Sequence, residues 1–212
     1  QQYADEIMTT SSTPGILAET LKEEYPEIEF SATTTWVNDF TLSVKEHNVK
    51  AKGWNVGQDF FEIFSLDLLQ GDASQVLDDK LSIVISKDLA VRLFGTDENA
   101  VGKTLEVQHD KSFHVSGVFE GTPGTSSLQF DFVMTFELFK DDNEWVTHWG
   151  NNGPSTYIVL RDGTDASAFE AKIANYIKTK EEDSHVTLFL QKYSDRYLYG
   201  AFENGKPSAG RI

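Results

Sequence analysis

Between residues 82 and 139 the apolar positions switch repeatedly between two spacings, and the switches mark elements. Ile83, Val84 and Ile85 form a short β-branched run and predict a buried strand. Leu89, Ala90, Leu93 and Phe94 recur at helical spacing. Ser86 fits the N-cap of that helix, because its hydroxyl can accept from a free amide of the first turn. Gly95 fits its end, since glycine takes a left-handed conformation cheaply. Asp97, Asn99 and Gly102 predict a turn, followed by strands over 104–107 and 113–119. In the second of these Phe113, Val115, Gly117 and Phe119 share one face. After a loop of Gly, Thr, Pro and Ser, the residues Phe130, Phe132, Met134 and Phe136 alternate in the same way.

The flanks read less densely. Residues 1–8 predict a leader with a short strand. Thr13 fits an N-cap with Pro14 at the first helical position, and Leu17, Leu21 and Tyr25 lie on one face before Pro26 ends the helix. Residues 28–37 predict a strand, and 40–44 with 49–54 a hairpin around Glu46, His47 and Asn48. Three phenylalanines within 59–64 predict a short helix or turn that plugs a core. Gly71 and Asp72 form a turn, and 74–80 is polar and acidic. After Phe139, 140–144 predicts a charged turn and 150–154 a loop. A strand over 155–160, a turn at 162–164 and an Asp165 cap then lead into a helix buried through Phe169, Ile173, Tyr176 and Ile177. Residues 186–190 predict a closing strand, and 193–212 has no periodicity. A helix between strands near each end, with a β-rich middle, predicts an α+β fold of two lobes. Segments 1–75 and 145–212 build the outer lobe, and a β-rich lobe, 76–144, is inserted into it.

Composition narrows the function classes. The 212 residues contain no cysteine, which removes disulfides, thiolate catalysis and cysteine-ligated metal. A net charge of −16 argues against nucleic-acid partners and against docking on anionic lipid. No stretch approaches the ~20 apolar residues of a membrane span. The chain starts at Gln1 without a signal pattern and reads as a mature or excised fragment.

Candidate chemistry is sparse. Gly102-Lys103-Thr104 with Gly95 upstream mimics a nucleotide loop, but six residues separate the glycines. That loop needs four, and it leaves a strand for a helix, the reverse of the order here. No two of His47, His109, His114, His148 and His185 have helical metal-ligand spacing. His109 and His114 could face each other across a turn beside Asp110, and His148 lies between Trp145 and Trp149. The pairs Glu23/Glu24, Asp78/Asp79, Asp141/Asp142 and Glu181/Glu182 sit in polar runs, which read as solvated charge rather than acid–base machinery. No catalytic, cofactor-binding or metal residue is predicted.

Several segments stand together in a known order: VISKDLAVRLFG at 84–95, VGKTL at 101–105, VSGVFEGTP at 115–123 and S-x-L-x-F-D-F at 126–132. This series resembles the extracytoplasmic core domain of MacB-like, FtsX-like ABC-transporter permeases. So do 12–28, FSLDLLQGD at 64–72 and L-Y-x-x-F-x-N-G-K at 198–206. The resemblance implies a porter-like outer lobe with a Sabre-like insert, both chain ends facing one membrane, at the periplasmic face of the bacterial inner membrane. It implies a non-catalytic, mechanical role: transmitting ATP-driven movement of absent membrane helices. The implied partners are a second permease subunit, a cytoplasmic ABC ATPase and a periplasmic partner protein. Two other readings are a stand-alone extracytoplasmic module binding a ligand or protein, and a hydrolase with a dispersed site.

Overall fold

In a computed structural model, the residues described are 2–3, 6–126, 128–196, 201–203 and 206–209. Gln1 and Ile212, Ser127 of the S-x-L-x-F-D-F segment and much of the tail motif at 198–206 lie outside them. In chain order the elements are β1 Gln2–Tyr3, β2 Glu6–Ile7, α1 Leu17–Glu24, β3 Ile28–Thr34, β4 Asn38–Val44, β5 His47–Val56 and α2 Phe60–Ile63. They continue as β6 Leu68–Gln70, β7 Ser82–Ser86, α3 Lys87–Phe94, β8 Thr104–Val107, β9 Lys111–Phe119, β10 Phe132–Thr135 and α4 Phe136–Asp142. A 3₁₀ turn at Glu144–Thr147 precedes β11 Ser155–Leu160, α5 Ala166–Ile173 and α6 Tyr176–Lys180. The last are β12 Ala201–Glu203 and β13 Lys206–Ala209. No helix of the described residues is long and apolar enough to cross a membrane.

The strand pairings close on themselves. β5 pairs with β4, β4 with β8 and β8 with β9, all antiparallel. β9 then runs parallel to β7, β7 antiparallel to β10, and β10 parallel to β5. Six strands thus form a ring, which hides their edges from intermolecular pairing. Inward residues such as Leu42, Val49, Ile83, Val115 and Phe132 fill it, and Leu89, Ala90 and Leu93 of α3 complete that core. Gly53 is needed here: a Cβ would lie 2.2 Å from the Phe132 ring. A second core covers the outer face of β5 and β10, where Trp54, Phe60, Phe61, Phe119 and Phe130 meet.

A third core belongs to both flanks of the chain. β3 and β11 pair over six residues as a ribbon. Leu17 and Leu21 of α1, Phe169 and Ile173 of α5, and Tyr176 and Ile177 of α6 pack together, with Ile158 and Leu160 of β11 against them. Residues 38–56, expected in the outer lobe, instead supply β4 and β5 to the ring. Ribbon and ring share one strand pair, Thr34 with Val56. Two backbone bonds flank it, Thr35 N to Asn55 O at 2.9 Å and Gly57 N to Thr33 O at 2.7 Å.

Several local expectations hold. Ser86 accepts from Leu89 N, Gly95 adopts φ 76°, and Asp165 accepts from Ser167 N and Ala168 N. Others need correction. Thr13 does not cap α1, which starts at Leu17 without a side-chain cap. Its hydroxyl is engaged with Thr156 at 2.7 Å. The face shared by Phe113 and Val115 ends at a register shift, where Val115 and Gly117 oppose the adjacent residues Ile83 and Val84. Past that bulge Val118 points into the ring and Phe119 out of it. Phe130 precedes β10 and joins the second core, while Phe136 is already helical because Thr135 caps α4 through Leu138 N. Of the expected turn at 140–144, residues 140–142 end that helix and Glu144 opens the 3₁₀ turn. Residues 186–190 form no strand. The Leu188 amide bonds to Ala174 O and the Leu190 amide to the Glu170 carboxylate, so the helices satisfy the backbone a sheet would have paired.

Candidate functional site

The residues singled out for chemistry are dispersed. Lys103 lies with its Nζ 4.8 Å from the centre of the Phe94 ring, and its amide bonds to Ala100 O at 3.1 Å, which makes the segment a turn. His109 contacts Ser43 and His114 contacts Ser82, each at 3.2 Å, so the two histidines have separate partners. Among the described residues no three His, Asp or Glu side chains are grouped to hold a metal. Asp141 pairs with Lys80 and Asp142 with Lys111, at 2.7 and 2.6 Å. Asp142 holds the Lys111 ammonium above the ordinary lysine range. Lys180 lowers the Glu24 carboxyl and Lys172 that of Glu27. A hollow of about 280 Å³ is lined by Glu27, Thr164, Asp165, Ala168, Phe169 and Lys172. Its charged groups are committed to the Glu27–Lys172 ion pair and the α5 cap. His148 is exposed, while Trp149 packs edge-on against Tyr176 at 5.8 Å.

What the fold does bring together is the two ends of the chain. Successive residues of a strand point to opposite faces, and β11 uses both. On one side Thr13 N donates to Pro154 O at 2.7 Å and Gly153 N donates to Thr13 O at 3.2 Å. The Thr13 and Thr156 hydroxyls meet there. On the other side Tyr157 packs against Phe64 at 5.1 Å and Tyr193 at 5.9 Å, and Arg196 donates to the Tyr157 hydroxyl. The leading and trailing segments are therefore both fastened to residues 153–157.

A charged tie links α1 to α4. Lys140 Nζ lies 3.1 Å from Glu19 and 2.5 Å from Glu137, with its side chain 17% exposed. Burial alone would lower the Lys140 ammonium, but the two carboxylates outweigh it and hold it above the ordinary range. Beside the tie, Gly15 packs so tightly that a Cβ would meet Val146 at 2.8–2.9 Å. Trp36 and Trp145 stay 48% and 36% exposed at this end, around Gly153.

The Thr13–Thr156 contact carries no local signal, because 143 residues separate its members. Tyr193 gave only the hint of an aromatic in an aperiodic tail.

The family described as MacB-like periplasmic core domain matches residues 2–176. Among curated proteins no sequence matches. A crystal structure of a domain ascribed to a permease protein of Porphyromonas gingivalis is 24% identical with a TM-score of 0.68, covering 83% of this chain and 81% of its own. The periplasmic region of MacB from Actinobacillus actinomycetemcomitans is 20% identical, with a TM-score of 0.56 over 77% and 72%. The extracellular domain of the ABC-type transporter YknZ from Gram-positive bacteria is 16% identical, with a TM-score of 0.59 over 86% and 91%.

Proposed function

This chain belongs to the MacB-like periplasmic core domain family of ABC-transporter permeases, and from that premise we propose that it carries ATP-driven movement of membrane helices to the outside of the membrane. The observation that supports this most is the fastening of both terminal segments to residues 153–157 of one strand region. Movement of either segment reaches the ribbon directly, and the third core binds the ribbon to α1, α5 and α6. The ribbon with its helices is the porter-like lobe and the ring is the Sabre-like lobe. Closure of a partner ATPase in the cytoplasm drives the motion, and a second permease subunit shares it. The work is mechanical, a rigid-body shift between packed units. The exposed Trp36 and Trp145 favour a further role, since a periplasmic partner protein finds aromatic anchors there.

These 212 residues contain no cysteine, so an introduced pair is unique within them, and a permease and ATPase background freed of other cysteines allows a clean test. In the intact permease with its ATPase in lipid vesicles, Glu19→Cys and Lys140→Cys are joined by a short thiol-reactive crosslinker. Fixing α1 to α4 is expected to cut ATP turnover about tenfold, while the uncrosslinked double variant keeps it. Full turnover in the crosslinked protein would overturn the proposal.

A further inference from the structure

The sheet joint between ring and ribbon is short. Among the described residues its backbone pairing is one strand pair, against six within the ribbon and seven in the β4–β5 hairpin, and the apolar side chain of the ribbon that enters the second core beside it is the small Ala32. Thr33, Thr34, Thr35, Asn55 and Thr135 line it, each no more than 7% exposed. Asn55 N donates to the Thr35 hydroxyl at 3.0 Å, and the Asn55 side chain donates to Thr135 O at 2.9 Å. The Thr34 hydroxyl is buried without a partner among the described residues. Hydrogen bonds exchange at modest net cost. An interdigitated apolar core resists shear because every displacement opens voids. Among the described residues only the methyl of Ala32 ties the ribbon into the second core at this point, so the seam yields before the bulk of either core does.

One face of the joint is braced by the Lys140–Glu19 tie. The other is braced by the trailing segment. The chain leaves the third core at Leu190 and crosses to the opposite face of the ribbon by Tyr193. There Tyr193 touches both sides of the joint: Phe64, which ends the helix leaving β5, at 5.4 Å, and Tyr157 of the ribbon at 5.9 Å. Arg196 adds its bond to the Tyr157 hydroxyl. Tyr193 is 55% exposed and belongs to none of the three cores. It can therefore peel away without opening one.

We infer that residues 193–196 are a strap across this joint, and that drawing the trailing segment away releases the ring to swing on the Thr34–Val56 pair. The inference deepens the mechanical reading and rests on it for its purpose. The strap itself is a property of the isolated chain.

Hydrogen exchange on the 212-residue chain tests it. The Thr35 and Gly57 amides report the joint, and those of Ile83 and Val115 report the ring. Tyr193→Ala is expected to speed exchange at Thr35 and Gly57 about tenfold while leaving Ile83 and Val115 unchanged. Tyr193→Phe keeps the ring contacts and is expected to behave as the parent chain. No change in the alanine variant, equal acceleration at all four amides, or a phenylalanine variant as loose as the alanine one would overturn the strap. None of these results bears on the crosslinking test in the intact transporter, so the two can fail separately.

Discussion

Tyr176 opens α6 and packs in the core it shares with α1, where burial first and the neighbouring Glu24 carboxylate second push its hydroxyl well above the ordinary value of 10.0. A raised folded-state value stabilises fully below pH ~10 and is lost as pH climbs beyond it. Lys140, raised above 10.5, acts with the same sign. Stability should therefore fall steeply on the alkaline side. Tyr176→Phe should flatten that fall between about pH 10 and 12 and change stability at pH 7 by less than about 1 kcal/mol. Urea melts across that range check it, and an unaltered slope would reject it. At this scale the sequence was most readable where a residue acts on its near neighbours. Ser86, Gly95 and Asp165 announced their roles because each partner lies within four residues. Thr13 misled because its hydroxyl had a better partner far along the chain. Gly53 gave no sign that an aromatic ring would lie against its backbone.

α1 followed its periodicity through the Leu17 and Leu21 stripe, and the β4–β5 hairpin formed, though His47 and Asn48, expected in its turn, already pair as the start of β5. Failures came where tertiary bonds competed. Residues 186–190 read as a closing strand, yet Ala174 and Glu170 accept the Leu188 and Leu190 amides. The bulge in β9 turned Phe119 outward against the simple period of two. Ring closure was unreadable, because β10 meets β5 across about eighty residues without local chemistry to mark it. The α5 cap is the firmest expectation among the elements. Asp165→Ala removes the acceptor for two amides and should cost about 1 kcal/mol in a denaturant melt. An unchanged midpoint would mean that solvent caps this helix as well as Asp165 does.

Charge and family membership act on the whole molecule. A net charge of −16 repels phosphate-rich surfaces on balance, but it says nothing of a mechanical role. That role became arguable only from the series of segments between 84 and 132, and then from the joining of both chain flanks in one core. No residue of the joint stood out beforehand, since a seam of threonines reads as ordinary strand. The most direct measurement is a distance across it. Spin labels on cysteines replacing Glu106 of β8 and Ala171 of α5, both exposed, report ring against ribbon in the intact transporter. A transmitting domain should shift that distance by several ångström, about 5 Å, between nucleotide-free and ATP-bound states. The same distance in both states, while ATP turnover proceeds normally, would contradict it.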